Sequence, residues 1–145
     1  MADSEDHAVP LTLTLRYRHP LGELAPYFRG LEAGRAVAAR CPECGRTWFP
    51  PRLVCPVHGR DVEWTELAGR GSIVGVTVTE TTLPFGAVRD RYAFALIALD
   101  GAGNLAFGRV AGDPAGARAG RRVRLARAPG NWPHPAQAAW FVPED

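Results

Sequence analysis

The sequence contains no lysine: all 17 of its basic residues are arginines, set against 15 acidic residues. The resulting formal net charge of +2 is too small to attract nucleic acid or an anionic membrane surface over a distance. Alanine, glycine and proline are abundant beside the arginines, a composition typical of a GC-rich coding sequence. Because lysine was hardly an available alternative, we assign no special role to arginine as a residue type.

Long apolar runs are also missing, and none approaches the ~20 residues that a membrane-spanning helix needs. The first ten residues, MADSEDHAVP, are polar and acidic and lack the basic-then-apolar order of a secretory signal. We therefore expect a cytoplasmic protein whose thiols stay reduced. The length of 145 residues allows one ordinary domain, or two very small ones that share a core.

Cysteine is scarce, and the odd count of three would leave one thiol outside any disulfide framework. Cys41 and Cys44 lie three residues apart, and Cys55 is followed at the same interval by His58. Zinc takes four ligands at tetrahedral corners, and a gap of two residues lets both side chains of a pair reach one ion. The spacing predicts a zinc ribbon in which His58 replaces a fourth thiolate.

Gly45 and Gly59 each follow the second ligand of a pair, where a residue without Cβ lets backbone N–H groups turn toward the sulfur atoms. We interpret the site as a closed structural zinc site, because four protein ligands leave no position open for substrate. Two alternatives are a ribbon that has lost its metal and holds its shape by packing, and a catalytic zinc site. Metal is favoured because a ribbon of about twenty residues has almost no core of its own.

The N-terminal part of the chain changes its hydrophobic period once. Residues 1–20 are predicted to form an extended or disordered arm, in which Leu11–Arg18 alternates apolar and other side chains, as in an edge strand or an arm laid on a partner. Residues 21–60 are predicted to contain a helix followed by the zinc ribbon. The helix is indicated by the spacing of Leu24, Tyr27, Phe28 and Leu31, and Gly34 is suited to its end.

Residues 61–145 are predicted to form a five-stranded OB-fold barrel, so the whole chain is expected to be mainly β. Turn residues separate five apolar segments, of which the first is long and interrupted at Gly69 and Gly71. An open antiparallel sandwich is the alternative. The segments are 62–83, 91–100, 104–112, 121–128 and 136–142.

Four phrases of the sequence together resemble one known family. They are YFRGLEAGR, CPECGRTWFPPRLVCPVHG, WTELAGRGSI and RYAFALIALD, and the similarity runs from about residue 24 to residue 142. The sequence is similar to the acyl-CoA-associated zinc-ribbon/OB-fold proteins, long filed as a domain of unknown function. The resemblance implies an N-terminal helix, a rubredoxin-like zinc ribbon and a C-terminal OB-fold barrel, in agreement with the segments above.

The same resemblance implies a role without catalysis. Members of the family are accessory subunits of thiolase-fold enzymes (thiolases, aldolases and acyl transferases) or of hotdog-fold hydratases, and they help to present acyl-CoA to the partner. It implies zinc as a structural cofactor, with Cys41, Cys44, Cys55 and His58 as ligands. His58 departs from the family, which usually has a fourth cysteine there, and some members lack the site.

The segment FPPR between the two ligand pairs is stiffened by two prolines. A stiff segment could hold Trp48, Phe49 and Leu53 outward toward CoA or a partner with little entropy left to lose on binding. Arg52 offers a fork for phosphate or carboxylate. The alternative is that the two aromatic rings pack the ribbon onto the barrel.

The segment between the first two barrel strands holds further contact candidates, namely Phe85, Arg89, Arg91 and Tyr92. Ordinary solvation of an exposed loop is the alternative. In a later strand, Arg122 and Arg124 share the outward face and could meet a CoA phosphate, although a solvated face is the preferred interpretation.

Three functions follow from these observations. The first is the accessory subunit. The second is a nucleic-acid-binding module, since zinc ribbons and OB barrels often serve that role and Tyr92, Phe94 and Phe107 could stack on bases. The third is a stand-alone enzyme, which we disfavour because the sequence shows no nucleophile–base arrangement, acid pair or phosphate loop.

Overall fold

A computed structural model describes residues 9–83, 88–132 and 134–144. The chain is mainly β, with one helix, α1 (Ala25–Ala33), preceded by a 3-10 turn at Gly22–Leu24. No helix in these three ranges has the length and hydrophobicity to cross a bilayer. The strands are β1 (Ala36–Arg40), β2 (Thr47–Trp48), β3 (Glu63–Leu67), β4 (Arg70–Thr82), β5 (Arg89–Leu99), β6 (Leu105–Val110), β7 (Arg122–Ala126) and β8 (Trp140–Pro143).

Helix α1 forms where the hydrophobic period predicts it. Pro26 lies in its first turn, where a missing N–H costs no intrahelical hydrogen bond. Gly34 ends the helix in the left-handed conformation, at φ 72°, and its N–H reaches the carbonyls of Gly30 and Leu31. The predicted apolar face is turned inward, since Leu31 is fully buried.

The ribbon contributes a three-stranded sheet in the order β2-β1-β3. β3 belongs to this sheet because it pairs antiparallel with β1 along its whole length, from Ala36–Leu67 to Arg40–Glu63. The expectation of one long strand over residues 62–83 is therefore wrong. Gly69, at φ 74°, turns the chain between β3 and β4, so the two halves of that segment serve different sheets.

The remaining five strands form a closed barrel in the order β4-β5-β6-β8-β7. This confirms the predicted OB-fold architecture and excludes the open sandwich. The barrel closes through a short parallel contact of β6 with β8, at Arg109–Trp140 and Val110–Phe141. β4 carries a bulge between Ile73 and Gly75, which lets one long strand curve around the barrel.

One further segment differs from its predicted form. The first half of the predicted last strand is a 3-10 helix, Pro135–Ala138, because Pro135 cannot donate to a ladder, and only Trp140–Pro143 pairs. The arm over residues 9–20 pairs with no described strand.

Helix, ribbon and barrel share one hydrophobic core. Leu31 from α1 and Phe49 from the ribbon are buried together with Ile73, Ile97 and Phe141 of the barrel. Burial raises the pKa of Tyr27, which packs edge-on against Phe49, to about 12, so its phenol stays neutral. Because the elements share this core, a change in the ribbon is expected to be felt in the barrel.

Candidate metal centre and surrounding surfaces

The two ligand pairs lie in two turns of the same design. In the first, the N–H of Cys41 donates to the carbonyl of Arg46 and the N–H of Gly45 donates to the carbonyl of Cys41, at 2.8 and 2.9 Å. In the second, Cys55 and Gly59 make the equivalent bonds, at 2.9 and 2.8 Å. Gly45 and Gly59 have φ of 69° and 60°, which explains why both turns carry glycine there.

The four side chains converge on one point. One ligand atom from each of Cys41, Cys44, Cys55 and His58 lies within 4.8 Å of every other. The Nδ1 atom of His58 is 3.7 Å from Sγ of Cys41 and 3.5 Å from Sγ of Cys55, and the sulfurs of Cys44 and Cys55 are 3.9 Å apart. Zn–S and Zn–N bonds of ~2.3 and ~2.0 Å at tetrahedral angles require edges of roughly 3.5–3.8 Å.

The backbone favours the thiolate form that zinc binds. Backbone N–H groups of Cys44 and Glu43 hold the pKa of the Cys41 thiol below its usual value, although burial opposes them. Burial alone would raise the pKa of Cys55, but the backbone N–H groups of His58 and Val57, together with the side chains of His58 and Cys41, lower it to about 6. At Cys44 the backbone N–H of Arg46 favours the thiolate, but burial and the neighbouring cysteines raise the pKa. The turns therefore stabilise negative charge at Cys41 and Cys55 before any metal binds.

The sequence analysis missed Glu43, which lies between the first two ligands. Its Oε2 is 3.6 Å from Nε2 of His58, and its Oε1 is 3.1 Å from Nε of Arg60. Because Nδ1 of His58 faces the sulfurs, Nε2 is left to face the carboxylate, the arrangement that orients a metal-bound histidine. The donor set, its spacing and this partner all fit a zinc ion with four protein ligands.

We predict that Glu43→Gln weakens zinc binding by roughly 10- to 100-fold while the ribbon still folds, because the amide cannot orient the imidazole as the carboxylate does. Competition with a chromogenic chelator measures the affinity. Glu23→Gln, a change at an exposed carboxylate outside the ribbon, is the control and should leave zinc affinity unchanged. Equal affinities for the wild type and Glu43→Gln would contradict the role of Glu43.

The outward placement of Trp48 and Phe49 is wrong. Phe49 is 1% exposed in the shared core and Trp48 is 6% exposed beside Cys41 and Cys55. Phe49 thus packs the ribbon onto the barrel, as the alternative expectation had it, whereas Trp48 packs within the ribbon beside the cysteines. A ribbon with so few apolar residues needs both rings inside. Arg52 is exposed.

Asn104, in the turn between β5 and β6, fastens the ribbon to the barrel. Its Oδ1 accepts from the N–H of Phe49 at 2.8 Å, and its Nδ2 donates to the carbonyl of Pro50 at 3.0 Å. The N–H of Gly103 adds a bond to the carbonyl of Thr47 at 2.8 Å. One amide side chain thereby satisfies two backbone groups of the FPPR segment, which have no strand partner.

We predict that Asn104→Ala lowers the free energy of unfolding by about 1–3 kcal/mol, because it leaves a partly buried N–H and a carbonyl without partners. Urea denaturation followed by tryptophan fluorescence measures the loss. Asn131→Ala, at an exposed loop position, is the matched control and is expected to stay within about 0.5 kcal/mol of the wild type. A loss no larger than that of the control would remove Asn104 from this role.

The candidates between the first two barrel strands lie on a hairpin rather than in a loop. Arg89, Arg91 and Tyr92 belong to β5, and Arg89 forms a salt bridge with Glu80 across the hairpin, at 3.2 Å. Arg89 and Arg91 are exposed, so both remain accessible to a partner. Phe85 lies outside the described residues.

An apolar cleft lies on the outer face of β5 and β6, next to the 3-10 helix at Pro135–Ala138. Its volume is about 280 Å³. The rings of Phe94 and Phe107 are stacked, with 5.7 Å between their centres and an interplanar angle of 8°. The lining residues are Leu83, Phe94, Phe107, Gly108, Arg109, Trp132, Ala136, Gln137 and Ala139.

Arg109 gives this apolar cleft its positive charge. Its guanidinium lies 4.3 Å from the ring centre of Tyr92 and 4.7 Å from that of Trp140. Burial lowers the pKa of Arg109, although an arginine stays protonated at neutral pH. Within the described part of the chain it forms no salt bridge. Sequence reasoning missed this residue because no motif marks it.

The basic residues of β7 are not equivalent. Arg122 donates to both carboxylate oxygens of Asp100 and to the hydroxyl of Ser72, and the pair lowers the pKa of Asp100. Arg122 is thus engaged in joining neighbouring strands, whereas Arg124 is exposed on the same face.

Two family models match the sequence. The rubredoxin-like zinc ribbon domain of ChsH2 matches residues 28–63, and the C-terminal OB-fold domain of ChsH2 matches residues 64–127. A search of curated proteins finds no significant match.

Two solved structures resemble most of the chain. The first, described as an Ltp2-ChsH2(DUF35) aldolase, is 25% identical with a TM-score of 0.62, over 84% of this chain and 94% of that chain. The second is a protein of unknown function from the DUF35 family of Sulfolobus solfataricus. It is 17% identical with a TM-score of 0.58, over 82% of this chain and 83% of that one, and it shows the fold alone.

Proposed function

Because the chain belongs to the ChsH2 family of zinc-ribbon and OB-fold proteins, we propose that it is a non-catalytic accessory subunit. It binds an aldolase or another thiolase-fold enzyme, or a hotdog-fold hydratase, and helps to position acyl-CoA for that partner. The observation that carries the proposal is the similarity to an Ltp2-ChsH2 aldolase over 94% of that chain. Chemistry then takes place on the partner, in a reducing cytoplasm that suits three free cysteines.

Zinc has a structural role in this proposal. Cys41, Cys44, Cys55 and His58 hold one ion, and the ion stabilises the ribbon by linking two turns that have little core of their own. Four protein ligands leave no open coordination position, so substrate does not bind the metal. The ribbon contributes rigidity to the surface that the partner meets.

The cleft between β6 and the 3-10 helix is the proposed acyl-CoA contact. Its apolar walls suit an acyl or pantetheine chain. Arg109 supplies a positive charge and forms no salt bridge with a carboxylate of the described residues. A volume of about 280 Å³ holds only part of such a ligand, so the partner surrounds the remainder. Arg89 and Arg91 on the hairpin are further proposed contacts for phosphate groups.

A nucleic-acid-binding module is the second candidate, favoured by half-buried Tyr92 and Phe94 and exposed Phe107 on two central barrel strands. The formal net charge of +2, however, gives little attraction for a phosphate backbone. We therefore rank this function below the accessory subunit.

Purification from the native host tests the partnership. The tagged full-length protein is expected to bring a thiolase-fold enzyme or a hydratase with it in a fixed ratio, identified by mass spectrometry and then reconstituted from purified subunits. Recovery of nucleic acid without such a protein would support the second candidate and overturn the first.

The reconstituted complex tests the cleft. Phe107→Glu is expected to raise the KM for acyl-CoA roughly tenfold or more while the subunits stay associated, because a carboxylate in the apolar cleft opposes the ligand. Leu105→Glu is the matched control, since Leu105 lies on the same strand and face with 45% exposure but does not line the cleft. An unchanged KM for Phe107→Glu would overturn acyl-CoA binding there without affecting the partnership.

A further inference from the structure

The extended arm before α1 carries an apolar row that no part of its own described chain covers. Leu11, Leu13, Leu15 and Tyr17 are 90, 82, 73 and 81% exposed. Thr12, Thr14 and Arg16 alternate with them, so the segment has the side-chain period of a β-strand but no ladder partner. A contiguous exposed row of this size marks an interaction surface, unlike single exposed apolar residues.

The root of the arm is held to the body of the protein. The ring of His19 lies 5.4 Å from that of His134, which in turn meets Phe28 of α1 edge-on at 5.3 Å. Pro10 and Pro20 bound the alternating segment at its two ends and limit ladder pairing to the residues between them. The arm is thus attached at one end and free along its apolar row.

β4 has an unpaired edge that complements this segment. β7 pairs with β4 only at Arg70–Ser72, with backbone bonds continuing to Ile73, whereas β5 pairs with the other edge up to Thr82. Within the described residues, the edge from Val74 to Thr82 therefore has no neighbouring strand on one side. Exposed backbone groups along such an edge are a template for strand addition.

The edge and the arm have the same alternation of side chains. The edge reads VTVTET over residues 76–81, and the arm reads LTLTLR over residues 11–16. Val76 and Val78 are 37 and 41% exposed, although they pair opposite Ala95 and Ala93, which are buried. The valine row thus lies on the inner face of the barrel sheet, at a place where the barrel does not cover it.

From these observations we propose that the arm of one copy adds as a strand to the free edge of β4 in a second copy, and that the exchange is reciprocal. The leucine row then lies beside the valine row on one face of the enlarged sheet, and the threonines of both strands share the opposite face. The seven residues from Leu11 to Tyr17 fit within the nine from Val74 to Thr82. Two-fold symmetry fills both β4 edges at once, so the exchange closes as a dimer.

A second copy is the occupant because the chain itself carries both complementary halves. The high exposure of the arm shows that it does not lie on its own β4 edge. The proposal is independent of the aldolase or hydratase partnership, since no residue of that partner takes part in it.

Complementary variants test the exchange by sedimentation-velocity analysis of the full-length protein. The wild type is expected to be a dimer at tens of micromolar, and Leu13→Asp and Val78→Asp are each expected to weaken dimerisation at least roughly tenfold. Thr12→Asp, on the polar row of the arm, is the control and should remain a dimer. Unchanged zinc content and circular dichroism establish that each variant is folded.

Mixing the two variants separates exchange from misfolding. Leu13→Asp keeps an intact edge and Val78→Asp keeps an intact arm, so an equimolar mixture can form one of the two strand contacts. The mixture is expected to recover dimer that neither variant forms alone. A monomeric wild type at about 100 µM, dimers that persist in both variants, or a mixture that stays monomeric would each overturn the proposal.

Discussion

The Cys55→Ala variant is expected to purify with almost no zinc, whereas the wild type is expected to carry one zinc per chain. Cys55 is fully buried between His58 and Cys44, so its loss removes one corner of a closed site that no other described cysteine can fill. Metal binding supplies most of the folding free energy of a ribbon this small, and we expect a loss on the order of 5 kcal/mol or more. Elemental analysis and thermal unfolding measure the two effects.

The effect of zinc loss is expected to spread beyond the ribbon. Phe49 connects the ribbon to the shared core and Asn104 holds it in place, so an unfolded ribbon exposes one wall of the barrel. The unfolding midpoint is therefore predicted to fall by roughly 10 °C or more in Cys55→Ala, or when a strong chelator strips the wild type. A chelated protein that unfolds at the wild-type midpoint would show that packing alone holds the ribbon.

Two variants of His58 provide the matched comparison for Cys55→Ala. His58→Cys is expected to keep one zinc, because four cysteines form a common structural site, whereas His58→Ala is expected to bind far less. Near-zero zinc in the wild type would reject the closed site, and full occupancy in Cys55→Ala would reject the assignment of its ligands.

The Gly34→Ala variant is expected to lose more than about 3 kcal/mol of stability. Gly34 ends α1 at φ 72°, and a Cβ there would lie 2.3 Å from the backbone nitrogen of Arg127 and 2.8 Å from the carbonyl carbon of Ala126. Both atoms belong to the backbone at the end of β7, so no side chain can move aside. The helix must then shift from the barrel or the strand must deform.

Gly22→Ala separates backbone strain from the clash. Gly22 has a similar φ of 60°, but a Cβ there meets nothing within 4 Å. We therefore expect this variant to lose only the cost of a left-handed alanine, about 1–2 kcal/mol. Chemical denaturation of both variants measures the difference, and equal losses would mean that close packing of α1 against β7 does not matter.

Local patterns were sufficient for the helix, the two ligand pairs and the barrel class. The helical period of Leu24 to Leu31 and the left-handed glycine after it are local properties, and α1 appears where they indicate. The two turns that hold the ligand pairs, at Cys41–Arg46 and Cys55–Arg60, form because their hydrogen bonds join residues no more than five positions apart. Such short-range signals survive in any tertiary environment that does not oppose them.

Strand partners could not be assigned in the same way. β3 and β4 read as one interrupted strand because their alternation is similar on both sides of Gly69, yet one pairs with β1 and the other with β5. The choice depends on which edge lies nearby in space, and no local property of residues 62–83 records that. The burial of Trp48 and Phe49 has the same origin, because an aromatic ring suits a core and an interface equally well.

The sequence by itself determined the zinc-ligand spacing, the helix and its end, and the five-strand content of a small barrel, since each depends on residues close together in the chain. Only the tertiary structure decided that Glu43 faces His58, that Asn104 fastens the ribbon and that Arg109 lies between Tyr92 and Trp140. It also decided that part of one β4 edge has no strand partner among the described residues. Most of these features join residues far apart in sequence, and even Glu43 meets His58 only when both turns fold around one point. The physical reason is that a local pattern reports only the preference of one segment for helix, strand or turn. Contacts between segments depend on how the folded elements pack against each other.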